Sequence, residues 1–202
     1  FLAEYPVRVI NNGIDLDTFR PIQSDFRKKY QIENKFIILG VASSWAPRKG
    51  LDVFVKLAED LPEEYQIVIV GIDEREKNKL PETIISITRT NNQKELAEIY
   101  SVADVFVNPT REENFPTTNI EALACGTGVI TYRTGGSPEI IDQETGVVVE
   151  KDNYDELKQA IFKVKKDGTF SKEKCRNRSM KYSRDERYKE YVELFESILE
   201  GR

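Results

Sequence analysis

Phe36-Ile-Ile-Leu-Gly-Val41, then Leu51 to Leu61, then Tyr65-Gln-Ile-Val-Ile-Val70: the reading of these three neighbouring stretches decides the fold. The first is a continuous apolar run, as expected of a strand buried on both faces. The second places Leu51, Phe54, Val55, Ala58 and Leu61 on one face of a helix. The third is again strand-like and stops at Gly71. Strand, helix, strand at this spacing is a βαβ unit, whose two strands run parallel.

The same alternation continues along the chain. Thr83 to Ile87, Val105-Phe-Val107, Val129-Ile-Thr131 and Gly146-Val-Val-Val149 read as strands, and Leu96 to Ala103 and Thr117 to Ala124 as helices. Val7-Arg-Val-Ile10 reads as a short extended stretch ended by the turn signal Asn11-Asn-Gly13. Tyr154 to Leu199 reads as helical with a break near Gly168. The expected fold is therefore α/β: a Rossmann-like, doubly wound, mostly parallel sheet with helices on both faces. Ligands in such sheets lie in the crevice beyond the carboxyl ends of the strands, where the loops here begin at Ala42, Gly71, Thr88, Asn108 and Tyr132.

Composition narrows the chemistry. The 202 residues suffice for one substantial core and contain neither a membrane-spanning run nor a signal-peptide pattern. The first residue is Phe1 rather than Met, which sets the expectation of a piece of a longer protein. Cys125 and Cys175 are too few for a disulfide framework, which fits a reducing compartment and a cytoplasmic location. A net charge of -5 argues against a nucleic-acid binder. The absence of histidine removes the commonest general base, the commonest metal ligand and every Ser-His or Cys-His pair. No Gly-x-Gly-x-x-Gly follows the first strand, which argues against a dehydrogenase, and a P-loop is absent too.

The segment with the most chemistry is Glu113-Asn-Phe-Pro-Thr-Thr-Asn-Ile-Glu121, which runs from a strand end into a helix expected from Pro116 or Thr117 to Ala124. The first helical N–H groups lack intrahelical partners and carry the positive end of the dipole, so an anion is held there without a basic side chain. The two carboxylates are free to accept hydrogen bonds from hydroxyls. A phosphate flanked by hydroxyls describes a nucleotide sugar.

Together with this segment, Asn12-Gly-Ile-Asp15 with Phe19 and Pro21, Arg48-Lys-Gly50, Glu121-Ala-Leu-Ala-Cys-Gly126 and Gly135-Gly-Ser-Pro-Glu139 stand in the order seen in retaining glycosyltransferases of the large GT4 type. The chain resembles the donor-binding, C-terminal half of that family's two-domain GT-B architecture. The resemblance implies residues 1–183 as the nucleotide-sugar-binding domain and 184–202 as a terminal helix crossing to an N-terminal acceptor domain. It implies Lys49 at the donor pyrophosphate, Glu113 at the transferred sugar and Glu121 at the ribose hydroxyls. Lys49 and Glu113 would orient and stabilise while the diphosphate departs from the sugar's front face, with no metal or other cofactor. Arg48 and Ser44 are candidates to replace an arginine that many relatives carry before the lysine. Phe115, Thr117 and Thr118 would offer amides and hydroxyls, and Arg89 belongs to Thr88-Arg-Thr-Asn91, where the base would lie. Pro116 suits a first helical position but brings no N–H. Gly135-Gly136 is expected to make a tight turn close to the ligand, and Glu139 either caps the next helix or reaches the cleft. Cys125 reads as close packing.

The implied partners are a nucleotide-diphosphate sugar, UDP ahead of GDP, and the N-terminal acceptor domain of the same protein, with no nucleic acid. Lys163, Lys165, Lys166, Lys172, Lys174, Arg176, Arg178 and Lys181 leave a peripheral membrane contact open, although a solvated face is the favoured reading of such a run. A sugar-nucleotide epimerase of similar architecture and a non-catalytic nucleotide-binding module are the competing readings.

Overall fold

The computed structural model of the chain describes residues 7–168 and 170–200. Along it run α1 (Phe26–Lys29), β1 (Phe36–Val41), α2 (Leu51–Asp60), β2 (Tyr65–Val70), α3 (Glu74–Lys77), β3 (Ile85–Ile87), α4 (Gln93–Val102) and β4 (Val105–Asn108). There follow α5 (Thr117–Ala124), β5 (Val129–Tyr132), α6 (Ser137–Ile140), β6 (Gly146–Val149), α7 (Tyr154–Asp167), α8 (Lys172–Ser179) and α9 (Arg184–Glu200). The strands form one sheet in the order β3-β2-β1-β4-β5-β6, and every neighbouring pair is parallel. This is the doubly wound Rossmann arrangement. Chain direction across the sheet reverses between β1 and β4, and the crevice that takes ligands opens there.

The strand sequences bury both faces because successive side chains point to opposite sides. Ile37, Leu39, Val68, Val70, Phe106 and Val129 join one core with residues of α4, α5 and α8. Phe36, Ile38, Ile67, Ile69, Val105, Val107 and Ile130 join a second with Phe54 and Leu57 of α2 and Leu157 and Ile161 of α7. Each fully buried large side chain stabilises by about 1.5–3 kcal/mol before ordering costs. The helix faces follow from the same logic: Val53, Phe54 and Leu57 are the buried residues of α2.

Several expectations need correction. The extended stretch Val7 to Ile10 pairs with no described strand, and Val7 and Val9 are 71% and 79% exposed. The pairing nearby is a single parallel bridge between Ile14 and Ser183. The extended reading of Thr83 to Ile87 shrinks to β3, and α4 starts at Gln93, where the Asn92 side chain caps the Glu95 N–H. Pro116 is the N-cap of α5 rather than its first residue, with φ −76° and ψ 108°. The long C-terminal helical reading resolves into α7, α8, a 3-10 turn at Met180–Tyr182 and α9. Gly168, at φ 94°, makes the expected break.

The basic run is not simply a solvated face. Arg176 donates to the carbonyls of Leu16, Phe19 and Ala124, and Arg178 to those of Glu139 and Ile140. Lys172 reaches the Ser101 carbonyl. These residues satisfy helix-end and loop carbonyls, a use that a charge count cannot reveal. The α9 helix has no buried residue; Tyr188, Tyr191, Val192, Phe195, Ile198 and Leu199 are all exposed. Of the expected bounds 1–183 and 184–202, residues 1–6, 201 and 202 lie outside those described, as does the expectation drawn from Phe1. No described helix is long and apolar enough to cross a membrane.

Candidate active site

At the carboxyl ends of the strands lies a cleft of about 710 Å³. Ala42 and Ser43 after β1, Gly71 after β2 and Thr88, Arg89 and Thr90 after β3 line one side. Asn108 and Thr110 at the end of β4, Glu113 and Phe115 in the following loop, and Thr117, Thr118 and Glu121 of α5 line the other. Lys49 and Asn12 also reach it.

Lys49 arrives through a local device. Pro47–Lys49 is one 3-10 turn, and Gly50 follows at φ 75°. A Cβ on Gly50 would come within 2.5 Å of the Pro109 carbonyl oxygen, so the turn abuts the loop after β4. Arg111 fastens the same contact: its N–H donates to Arg48 O at 2.7 Å, and its guanidinium to Pro47 O and to both carboxylate oxygens of Asp52. The Lys49 ammonium consequently sits 2.8 Å from Glu113 Oε2, with the two side chains 23% and 14% exposed.

Glu121 stands one turn inside α5 and is only partly exposed. Burial pushes its carboxyl up to about 6, opposed by the hydroxyls of Tyr100 and Thr117. Tyr100 Oη donates to Oε2 at 3.0 Å. At the head of α5, the Asn119 N–H turns back to Pro116 O, while those of Thr117 and Thr118 have no acceptor among the described residues. Asn108 Nδ2 donates to Asn119 Oδ1 at 2.8 Å, and Thr110 Oγ1 to Asn108 Oδ1 at 2.5 Å, pinning the end of β4 to the first turn of α5. The arrangement offers a cation and helix amides to an anion, and carboxylates at either end to hydroxyls.

A family model described as Glycosyl transferases group 1 matches residues 22–186. The chain belongs to this family. It is 27% identical over 182 residues to the D-inositol 3-phosphate glycosyltransferase of Mycobacteroides abscessus, covering 82% of this chain and 41% of the relative. Sucrose-phosphate synthase of Thermosynechococcus elongatus superposes with a TM-score of 0.83 at 24% identity, over 96% of this chain and 53% of that one. HepE of Anabaena in complex with UDP-glucose gives a TM-score of 0.81 at 18% identity, over 94% and 57%. The group 1 chain thus has the fold of one half of a GT-B glycosyltransferase and spans about half the length of the relatives it matches.

Of the residues expected at the site, the cleft gathers Lys49, Glu113, Glu121, Phe115, Thr117, Thr118 and Arg89. Ser44 is exposed and outside the lining, where Ser43 stands instead. Arg48 points away, donating to Glu112 O at 3.2 Å beside a neighbouring hollow. Gly135 makes the expected tight turn: at φ 48°, its Cβ position would lie 1.8 Å from the carbonyl oxygen of the cleft-lining Glu113. The Gly136 N–H meets Asn114 O at 2.6 Å. The glycine pair therefore packs against the Glu113 loop and shapes it. Glu139 is exposed, off the lining, with its carbonyl taken by Arg178 and Tyr182. Cys125 is fully buried, and burial pushes its thiol up to about 12, as suits packing. Sequence reading missed Tyr100, Arg111 and the Asn108–Asn119 pair. A tyrosine on an otherwise apolar helix face is the one usable signal, because a buried hydroxyl needs an acceptor.

Proposed function

We propose that this chain is the donor-binding part of a retaining glycosyltransferase that moves a hexose-type sugar from a nucleotide diphosphate to an acceptor hydroxyl, in saccharide or glycolipid assembly. The carrying observation is the convergence of Lys49, Glu113, Glu121 and the head of α5 on one cleft at the switch point. The diphosphate lies against the Thr117 and Thr118 amides and the Lys49 ammonium, which stabilises the negative charge of the leaving group. Glu121 accepts from the ribose hydroxyls, and Thr88, Arg89 and Thr90 flank the base. Glu113 holds Lys49 and reaches the sugar. With a lysine and helix dipole on the phosphates, this reading needs no metal.

A preference for UDP over GDP is supported by the HepE complex, of the same fold, which holds UDP-glucose. The acceptor site belongs to the other half of the longer protein, which packs on α9, so this chain alone turns over little. A cytoplasmic protein, touching a membrane at most peripherally, suits such an enzyme.

Calorimetric titration with UDP, GDP and their common sugar conjugates, without metal, tests the reading. One nucleotide should bind, and Glu121→Ala should abolish its binding. Failure of every nucleotide and conjugate to bind the wild-type protein, as this chain and as the longer protein, would overturn it. Product analysis of the longer protein then reads the anomeric configuration, and inversion would remove the retaining assignment.

A further inference from the structure

Glu121 is held by a group that does not touch the cleft. Tyr100, on α4, is fully buried, and its hydroxyl has Glu121 Oε2 as its one partner among the described residues, at 3.0 Å. Its position is fixed independently of that bond. The ring packs edge-on against Phe106 of β4 at 5.5 Å and Phe19 at 6.3 Å, and the Tyr100 carbonyl accepts from Thr127 Oγ1 at 2.6 Å. The core thus aims one hydroxyl, from below, at one oxygen of a carboxylate whose residue lines the cleft.

We propose that Tyr100 is a positioning residue for donor recognition: its hydroxyl occupies Oε2 of Glu121, fixing the carboxylate so that Oε1 is presented, ionised, to the hydroxyls of a nucleotide sugar. This role rests on the proposed donor site. A phenylalanine would fill the same core space, so packing alone does not call for the hydroxyl. Burial beside a carboxylate raises the phenol well above its usual range, so it remains a donor throughout the working pH range. The carboxyl, already pushed up to about 6 by burial, depends on such donors to ionise at neutral pH. Other groups around it are Thr117 of α5, Cys125 at the end of that helix, Arg176 of α8 beneath it, and Lys49, Glu113 and Arg89 elsewhere in the cleft lining. The thiol stays neutral, and burial and the hydroxyls, rather than any of these charges, shift the Glu121 carboxyl.

The test is Tyr100→Phe, with UDP-glucose and GDP-mannose affinity measured from pH 5 to pH 8.5. Sugar diphosphate diesters have no ionisation of their own in this window, so the profile reports the protein. Wild type should lose affinity as the pH falls through about 6. In Tyr100→Phe the midpoint should rise by about one pH unit, with a loss of roughly three-fold near pH 6.5 that grows toward ten-fold at pH 5 and vanishes toward pH 8.5. A carbon-13 titration of the Glu121 carboxyl, assigned through Glu121→Gln, should show the same displacement without ligand. A folded Tyr100→Phe protein with an unmoved binding midpoint would overturn the role and leave Tyr100 a core aromatic. A wild type that binds neither sugar nucleotide overturns the donor-site reading itself and the role with it. If the variant does not fold, the hydroxyl proton of Tyr100 in the wild type decides: a downfield, exchange-protected proton resonance that moves as the Glu121 carboxyl titrates supports the proposal, and a resonance indifferent to that titration overturns it.

Discussion

Two residues with opposite charge and one with a raised pKa carry the proposed chemistry, and each yields its own prediction. The Lys49–Glu113 pair is nearly shielded from water, so it aims the ammonium instead of leaving it to wander on its stem. Lys49→Ala should weaken nucleotide-sugar binding by about ten- to a hundred-fold, the range for one charge-assisted contact, as calorimetry would read. Glu113→Gln should cost less in affinity and more in turnover of the longer protein, since it releases the lysine yet keeps a polar group by the sugar. Glu121 has a stability consequence as well. Its folded carboxyl loses its proton near 6, against 4.5 for the free group. Between those values the folded state binds more protons than the unfolded one, so stability falls as pH rises through the window and stays lowered above it. Glu121→Gln should therefore raise Tm by about 4–8 °C at pH 8 and by almost nothing at pH 4. The same substitution should abolish donor binding, a gain in stability exchanged for function. A Tm difference independent of pH would contradict this.

At the scale of elements, the cleft is assembled by contacts between loops, and these were the hardest part to foresee. The alternation of apolar runs and helical faces made the parallel sheet legible, because burial on two faces leaves a direct mark on β1, β2 and β4. Lys49, Glu113 and Glu121 were legible through motif order, and the cleft brings them together. The roles of Arg111 and Gly135 were not, since each acts on backbone far away in sequence. Arg111 ties the turn before α2 to the loop after β4, and Gly135 lies against the backbone of Glu113. Nor could the extended reading of Val7 to Ile10 show whether it joins the sheet, because alternation says nothing about whether a sheet edge is available. Gly135→Ala follows as a prediction. An alanine at φ 48° is strained, and its methyl would need the Glu113 carbonyl to move by more than 1 Å. Stability should drop by about 1–3 kcal/mol in urea unfolding, and affinity should fall as the Glu113 loop is displaced. Retained affinity with wild-type stability would show that the loop adapts freely.

For the whole molecule, α9 is the feature that a self-contained domain does not explain. Arg184–Glu200 is about 25 Å long, and Tyr188, Tyr191, Val192, Phe195 and Leu199 recur along it at spacings of three and four. All are exposed, Phe195 by 60% and Leu199 by 66%, and Val7 and Val9 add to the apolar surface left open. Soluble surfaces seldom leave a stripe of that size uncovered. The matched relatives are about twice as long as the segment they share with this chain, which makes the rest of such a protein the proposed cover. The chain on its own should then bind a hydrophobic dye or self-associate, and Tyr191→Ser with Phe195→Ser should suppress both without lowering the Tm, because neither side chain is buried. In the longer protein the same pair should cut transfer activity by ten-fold or more while nucleotide affinity measured on this chain stays unchanged. That separation is the informative result, because α9 contributes no residue to the lining of the cleft. Unchanged activity in the doubly substituted longer protein would place the cover elsewhere and free α9 from any part in transfer.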